Sequence, residues 1–409
     1  MRQRPLLPGD AEVKHRMSIV VAHPSLNRLG GAERVCLTAI GALRRQGHRV
    51  NLFTIDRTNW PALRRILGEV PKPDEEHYLL ETLPVRYTLL QAIVTLSLFI
   101  LELSKLKTRG KQDVLMNTYG DAVDSIADIT YVNALPLRTI YHYPDSASAI
   151  WRILSQGYDL FLRVVDHVCK GNILITNSKF LSEIVEEYSK RESTVIYPPV
   201  DTSKFMQAQK NIRRHKALVV SASRLRAGKR LETVPRIAQL TRKTNFIIFG
   251  TTDNASQGTL REIANAARTL GVSDRIDVLI DQPFSRLVDV VSSAKVFLST
   301  QPTEAFGIAI VEAMAAGCVP VVPRSGGPWF DILEREQGKY GYSYRDAEEA
   351  ARIIDMLVED DHLALEVSNR ATQRAKEFDI SLFNTEILGI VQMVNPNICD
   401  INPRDTAEN

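Results

Sequence analysis

From Val296 to Val322 the chain reads Val-Phe-Leu-Ser-Thr-Gln-Pro-Thr-Glu-Ala-Phe-Gly-Ile-Ala-Ile-Val-Glu-Ala-Met-Ala-Ala-Gly-Cys-Val-Pro-Val-Val, and this run constrains the fold more than any other. An apolar strand closes at Ser299, and a polar loop then carries Glu304. An Ala-rich helix opens at about Phe306, carries Glu312 and is stopped by Gly317. A second apolar strand, Val319 to Val322, follows directly, then a Gly326-Gly327-Pro328 turn. Strand, loop, helix and strand in that order make a parallel βαβ unit, whose ligands bind at the C-terminal ends of the strands. Were both carboxylates helical, their spacing would part them by about 12 Å along the axis. With Glu304 in the loop and Glu312 in the helix, they can reach two hydroxyl-bearing parts of one extended ligand. Without that context, the same two residues would read as incidental charges on a solvated helix.

The alternation is not confined to this run. Met17 to Ala22 reads as a strand, Ala32 to Gln46 as a helix and Val50 to Ile55 as a strand, with further strands at Val114–Asn117, Ile129–Val132 and Ile173–Thr176. Val195-Ile-Tyr-Pro-Pro-Val200-Asp ends a strand in a proline-stiffened linker, after which the pattern restarts. Ala217–Ser221, Asn245–Phe249 and Ile276–Leu279 read as strands, with helices at Leu231–Arg242, Leu260–Leu270 and Phe284–Ser293. The expectation is an α/β protein of two Rossmann-like, doubly wound domains facing a central cleft. The expected boundaries are 17–198 and 199–377, with flexible ends at 1–16 and 396–409. A chain of 409 residues has room for both cores.

Composition narrows the function mainly by exclusion. A net charge of +3 is too small to argue for nucleic acid as a partner. The four cysteines, Cys36, Cys169, Cys318 and Cys399, show no zinc-site or disulfide spacing, which suits a reducing cytoplasm. The first fifteen residues are polar and charged, so no secretory leader is expected. One apolar stretch, Tyr87 to Leu106, is interrupted by Thr88, Gln91, Thr95, Ser97 and Glu102 too often for a membrane span. It reads either as a helix buried in the first domain or as an interfacial helix on lipid, anchored by Lys105, Lys107 and Arg109.

Two further elements suit anionic ligands. After the first strand of the second half comes Ser221-Ala-Ser-Arg224-Leu-Arg-Ala-Gly228-Lys229, which places two cations at a strand-to-helix turn. Near the start of the chain, Gly30-Gly31-Ala-Glu-Arg lies at another such turn, where paired glycines allow close backbone approach.

The run 296–328, with its Ala-Phe-Gly, Glu-Ala-Met-Ala-Ala-Gly and Gly-Gly-Pro segments, resembles the Glu-x7-Glu signature of retaining glycosyltransferases of the GT-B fold, family 4 (group 1). The resemblance implies that Glu304 contacts the donor sugar, that Glu312 holds the ribose of a nucleoside diphosphate sugar, and that Arg224 and Lys229 clamp the diphosphate. Phe306, Gly307, Ile308, Gly326 and Gly327 would complete the donor site together with Gly30 and Gly31. The chain departs from the family pattern in having Ser223 where glycine is usual and in placing Gly228 before Lys229 rather than after it. In the first domain a histidine is expected against the transferred sugar, and either His142 of Tyr-His-Tyr-Pro or Asn133 could fill that slot. The GT-B resemblance also implies a last helix, 378–395, crossing back onto the first domain.

The Gly-Gly-Ala-Glu-Arg string is similar to that of mannosyltransferases that extend lipid-linked oligosaccharides. The implied reaction is α-linked transfer of a hexose, with mannose from GDP-mannose leading, to a polyprenol-linked or other glycan acceptor. No metal or other cofactor is expected. A soluble enzyme making a small glycoside or a polysaccharide from a UDP-sugar, and a non-catalytic protein that binds sugar nucleotides or acts as a scaffold, are the rival readings. A cytoplasmic protein, peripheral on the membrane through residues 87–109 if that helix lies on lipid, completes the expectation.

Overall fold

The computed structural model describes residues 16–28, 30–82, 89–120, 126–134, 172–212, 214–215, 217–252 and 256–394. Seven parallel strands form the first sheet: β1 (Ser18–Ala22), β2 (Arg49–Asp56), β3 (Glu75–Leu80), β4 (Val114–Asn117), β5 (Ile129–Val132), β6 (Ile173–Thr176) and β7 (Thr194–Val195). Their spatial order is β3-β2-β1-β4-β5-β6-β7. The second sheet has six, β8 (Leu218–Arg224), β9 (Asn245–Thr251), β10 (Ile276–Ile280), β11 (Val296–Leu298), β12 (Val319–Pro323) and β13 (Tyr342–Tyr344), in the order β10-β9-β8-β11-β12-β13. Strand order reverses between β1 and β4 in one sheet and between β8 and β11 in the other. Those two points, at the C-terminal strand ends, are where an open parallel sheet leaves a crevice for ligand.

The central strands are apolar on both faces because helices cover both. Ile19 to Ala22, Val114 to Met116 and Val319 to Val322 all lie in the core, so these strands are near-continuous hydrophobic runs without alternation. Edge strand β3, Glu-Glu-His-Tyr-Leu-Leu, is largely exposed, which is why its sequence carries no strand signal.

The helix Gly31–Arg45 buries Val35, Cys36, Ala39, Ile40 and Leu43, an i, i+3, i+4 stripe. The stripe packs with Phe383, Ile387, Ile390 and Val391 of the last helix, Ile380–Val394. The chain's end therefore contributes to the first core, as the GT-B resemblance implies. The return is pinned where Val200 and Asp379 form a parallel bridge.

Several elements differ from the expectation. β8 continues past Ser221 to Arg224, because its last residues pair with β9 as far as Thr251. The expected helix 231–242 is a 3-10 turn, Leu231–Thr233, followed by a short α-helix, Val234–Leu240. The helix expected from Phe306 begins at Ile308, since Gly307 at its N-cap has φ of 102° and cannot be a helical residue. Two helices not anticipated, Ala347–Glu359 and Asp361–Ala375, are N-capped by Asp346 and Asp360. Cys36 and Cys318 are free and buried.

The apolar stretch forms the helix Leu89–Arg109. Its two faces differ. Phe99 is buried and stacks on Phe53 at 5.2 Å, and Leu103 is buried beside it. Leu98 and Leu101 are 49% and 55% exposed. Thr95, one of the polar interruptions of the stretch, is buried. Among the described residues no helix is long and apolar enough to cross a membrane.

Candidate functional site

At the reversal point of the second sheet, Arg224 is the last residue of β8. Beside it, Ser221 donates from Oγ to the carbonyl of Leu298 at 2.8 Å, which ties β8 to the end of β11. The loops leaving these strands are joined as well. Thr300 Oγ1 donates to the carbonyl of Lys229 at 2.6 Å, and Lys229 Nζ donates to Glu304 Oε2, also at 2.6 Å. Lys229 closes a 3-10 turn, Ala227–Lys229, and the first α-helix after it starts only at Val234. The cations expected at an α-helix N-terminus therefore stand on a strand end and a tight turn. Their charge reaches the cleft through their side chains rather than beside a helix dipole.

The loop holding Glu304 is shaped by the Gly326-Gly327 turn. Gly326 has φ of 72°, and a Cβ there would lie 2.6 Å from the Glu304 carbonyl oxygen. At Gly327 it would lie 1.9 Å from the carbonyl oxygen of Ala305. The amide of Gly327 donates to the Glu304 carbonyl at 2.9 Å. The resemblance puts Gly326 and Gly327 in the donor site, and the Gly327 amide is spent on the Glu304 backbone. The turn's observed work is to pack against and hydrogen-bond the backbone of Glu304 and Ala305.

Phe306 also differs from the expectation. Its side chain is fully buried between Tyr197 and Phe378, at ring distances of 5.4 and 5.3 Å, where the two chain crossings meet. The ring is core, and only its backbone is available to a ligand. Ile308 faces the first domain, 3.1 Å from where a Cβ of Gly31 would stand.

Glu312 lies in the second turn of the helix Ile308–Ala315 and is almost wholly buried. Its Oε1 accepts from Arg34 Nη2 at 2.6 Å. That pair spans the cleft, since Arg34 belongs to the helix Gly31–Arg45 of the first half. Arg34, which closes the Gly-Gly-Ala-Glu-Arg string, therefore meets the carboxylate that the sequence singled out.

The first sheet brings a second polar group to its own reversal point. His23 follows β1 and Thr118 follows β4, and His23 Nδ1 lies 3.0 Å from Thr118 Oγ1. The ring is fully buried, and its Nε2 stands 3.9 Å from Glu33 Oε1. Glu33, three residues into the helix, accepts from the N-cap amide of Gly30 at 2.7 Å through Oε2. Burial drives the Glu33 carboxyl upward in pKa. Contact with His23 and the charges of His23 and Arg224 outweigh that and hold it below the usual carboxylate range. Arg224 Cζ would be 3.5 Å from a Cβ on Gly30, so the strand-end cation of one half faces the glycine loop of the other. His23 gave no signal in the sequence beyond its place at a strand end.

Asn133 is committed to structure: it donates from Nδ2 to the carbonyl of Thr118 at 2.6 Å and accepts from Asn177 Nδ2 at its own carbonyl. Its rival for the sugar-contacting slot, His142, lies outside the described residues. Ser178 caps the helix Lys179–Ser189 by accepting from the Leu181 amide at 3.1 Å. A residue not anticipated, Asp331, accepts from the amides of Lys179 and Phe180 at 2.7 and 3.1 Å, so a carboxylate of the second half caps a helix of the first. Burial raises the pKa of Asp331 against the pull of those amides.

Both halves of the chain match known glycosyltransferase families. The family model described as glycosyl transferases group 1 matches residues 202–378, and that described as glycosyltransferase family 4 matches residues 29–204. A Dictyostelium discoideum protein named GDP-Man:Man(3)GlcNAc(2)-PP-Dol alpha-1,2-mannosyltransferase is 23% identical over 62% of this chain and 54% of its own length. The chain thus spans about half of that relative. The human protein of the same name is 24% identical over 96% of this chain and 90% of its own length. Among solved structures, Anabaena HepE in complex with UDP and glucose superposes with a TM-score of 0.69, at 18% identity, over 92% of this chain and all of its own. Two doubly wound sheets, a returning last helix and matches to both family models give one conclusion: the chain belongs to the group 1 glycosyltransferases of family 4 and has their GT-B fold.

Proposed function

We propose that the protein is a retaining glycosyltransferase that moves a hexose, mannose from GDP-mannose, onto a lipid-linked oligosaccharide with an α linkage. The observation that carries this reading is the pairing of Lys229 with Glu304 at the end of the second sheet, with Arg224 at the end of β8 facing the Gly30-Gly31 loop and Glu312 in the following helix. The names of the relatives supply the donor and acceptor. In this reading Arg224 and Lys229 receive the diphosphate, Glu304 the hexose and Glu312 the ribose. As the bond from the sugar C1 to the β-phosphate oxygen breaks, negative charge grows on the diphosphate, and fixed cations stabilise it most at that moment. The acceptor oxygen bonds to C1 on the same face, and its proton passes to the departing phosphate oxygen. Lys229 and Glu304 are already paired, so both charges are oriented before the donor arrives. The two cations take the place a divalent metal would have, and transfer proceeds in EDTA.

Release of nucleoside diphosphate from GDP-mannose and from UDP-sugars, with and without a polyprenyl-diphosphate oligosaccharide, tests the reading. GDP-mannose should turn over fastest and the acceptor should accelerate it, with EDTA present or absent. Turnover confined to UDP-sugars would overturn the donor assignment; no release from any donor would point to a non-catalytic protein.

The acceptor class gives the exposed side of Leu89–Arg109 a role as a peripheral contact with the membrane surface. Leu98 and Leu101 present apolar surface, and Arg109 is exposed nearby. Lys105 and Lys107 contribute less than the sequence suggests, being paired with Glu102 at 2.7 Å and Asp128 at 2.9 Å. Each leucine buried in lipid is worth about 1.5–3 kcal/mol. A double replacement of Leu98 and Leu101 by Ser should therefore keep the melting temperature and abolish sedimentation with anionic vesicles. Phe99→Ala should instead lower stability by about 3–5 kcal/mol through the lost core ring. Undiminished sedimentation of the double variant would remove this helix from the membrane.

A further inference from the structure

The ion pair between Arg34 and Glu312 joins residues 278 positions apart and crosses the cleft. We propose that Arg34 is a positioning residue for ribose recognition, so that the first domain helps to build the ribose subsite around a carboxylate of the second. The proposal rests on the reading of Glu312 as the ribose ligand given above.

Three features of the pair support it. First, the Glu312 side chain is only 4% exposed and Arg34 is 23% exposed, so the carboxylate meets the cation largely out of water. A glutamate carries three rotatable side-chain bonds, and a charge-assisted hydrogen bond of 2.6 Å fixes where its two oxygens lie. Second, Arg34 takes Oε1. A carboxylate offers about four lone-pair positions, so its remaining capacity suffices for two hydroxyls without displacing the arginine. Third, the helix bearing Arg34 is itself seated against the helix bearing Glu312. A Cβ on Gly31 would come within 3.1 Å of Ile308 Cδ1, and the Arg34 guanidinium lies 6.0 Å from the ring of Phe284 at the start of the preceding helix, Phe284–Ser293. The cation is held on the second half by packing as well as by charge. Glu312 is thus oriented only while the two halves are together, and ribose recognition and closure of the cleft become one event.

The test compares binding of GDP and 2′,3′-dideoxy-GDP by calorimetry, with UDP and its dideoxy form in parallel, for wild type, Glu312→Gln, Arg34→Gln and Arg34→Lys. Hydroxyls bonded to an ionised carboxylate should make the ribo form bind at least about tenfold tighter in the wild type. In Arg34→Gln the ratio should collapse towards that of Glu312→Gln, and Arg34→Lys, which keeps the charge but not the fork, should fall between. A protein whose cleft is only generally loosened would lose affinity for both nucleotides equally and keep the ratio. A retained ratio in Arg34→Gln, with the ratio lost in Glu312→Gln, would overturn the role of Arg34 and leave Glu312 on the ribose. A retained ratio in Glu312→Gln would instead overturn the ribose reading itself. Tighter binding of GDP to Arg34→Gln than to wild type would show that arginine and ribose compete, which also defeats the proposal. If Arg34→Gln fails to fold, Arg34→Lys alone decides: a ratio equal to that of wild type overturns the role.

Discussion

Arg224→Ala should lower kcat by about a hundredfold or more while changing the donor KM little, because its contact with the diphosphate strengthens as the leaving group gains charge. The residue ends β8 and points across the cleft at the Gly30 loop. Among the described residues it has no ion pair, whereas Lys229 is tied to Glu304. The Arg224 charge does act on the buried Glu33 carboxylate; an incoming diphosphate must compete directly for the ammonium of Lys229, and Arg binds phosphate through two parallel donors where Lys offers a point charge. The loss in Lys229→Ala should accordingly be smaller and accompanied by a shift in KM, since that substitution also frees Glu304 from its partner. Steady-state kinetics of nucleoside diphosphate release would measure both. Wild-type turnover in Arg224→Ala would place the diphosphate elsewhere.

The other large effect should come from a single methyl group. In Gly327→Ala the new Cβ would stand 1.9 Å from the Ala305 carbonyl oxygen, 2.7 Å from the Ala305 carbonyl carbon and 2.9 Å from the Phe306 Cα. All three are backbone atoms, so no side chain can swing aside. The loop 302–306 must move as a whole, and with it Glu304 and the hydrogen bond from the Gly327 amide to the Glu304 carbonyl. The expected cost is about 3 kcal/mol or more in stability, at the upper end for overpacking, together with loss of turnover. Gly228→Ala is the control, because a Cβ there meets nothing within 4 Å. It should melt like the wild type. Denaturant melts of the three proteins, with donor turnover alongside, would check this. A Gly327→Ala protein as stable and active as wild type would mean that the turn does not shape the Glu304 loop.

The sequence by itself determined what is local and periodic. The βαβ unit around Glu304 and Glu312, the opening strand-helix-strand at Met17–Ile55 and the restart after Val200 are legible because parallel strands buried on both faces are apolar runs and their crossover helices repeat every 3.6 residues. The same reading put Arg224 and Lys229 at a strand-to-helix turn, but that β8 lies beside β11 and brings Lys229 to Glu304 came from the structure. The helices Ala347–Glu359 and Asp361–Ala375 carry equally local signals, in the Asp346 and Asp360 caps and the Ala350, Ala351, Ile354, Leu357 stripe. They were not anticipated, although the same kind of local signal marks them.

What only the tertiary structure decided is who meets whom across hundreds of residues. Nothing near Arg34 in the chain announces Glu312, and nothing near Lys179 announces Asp331 as its helix cap. His23 becomes distinctive only when β4 brings Thr118 beside it and Glu33 turns back from the helix. Phe306 reads as a site residue from its motif and is core because both chain crossings converge on its ring. The physical reason is common to these cases. Secondary structure follows from the spacing of side chains along a few turns or strand repeats, whereas an ion pair or a buried ring depends on the relative placement of two packed sheets. That placement is fixed by the whole set of long-range contacts, and no segment encodes it alone.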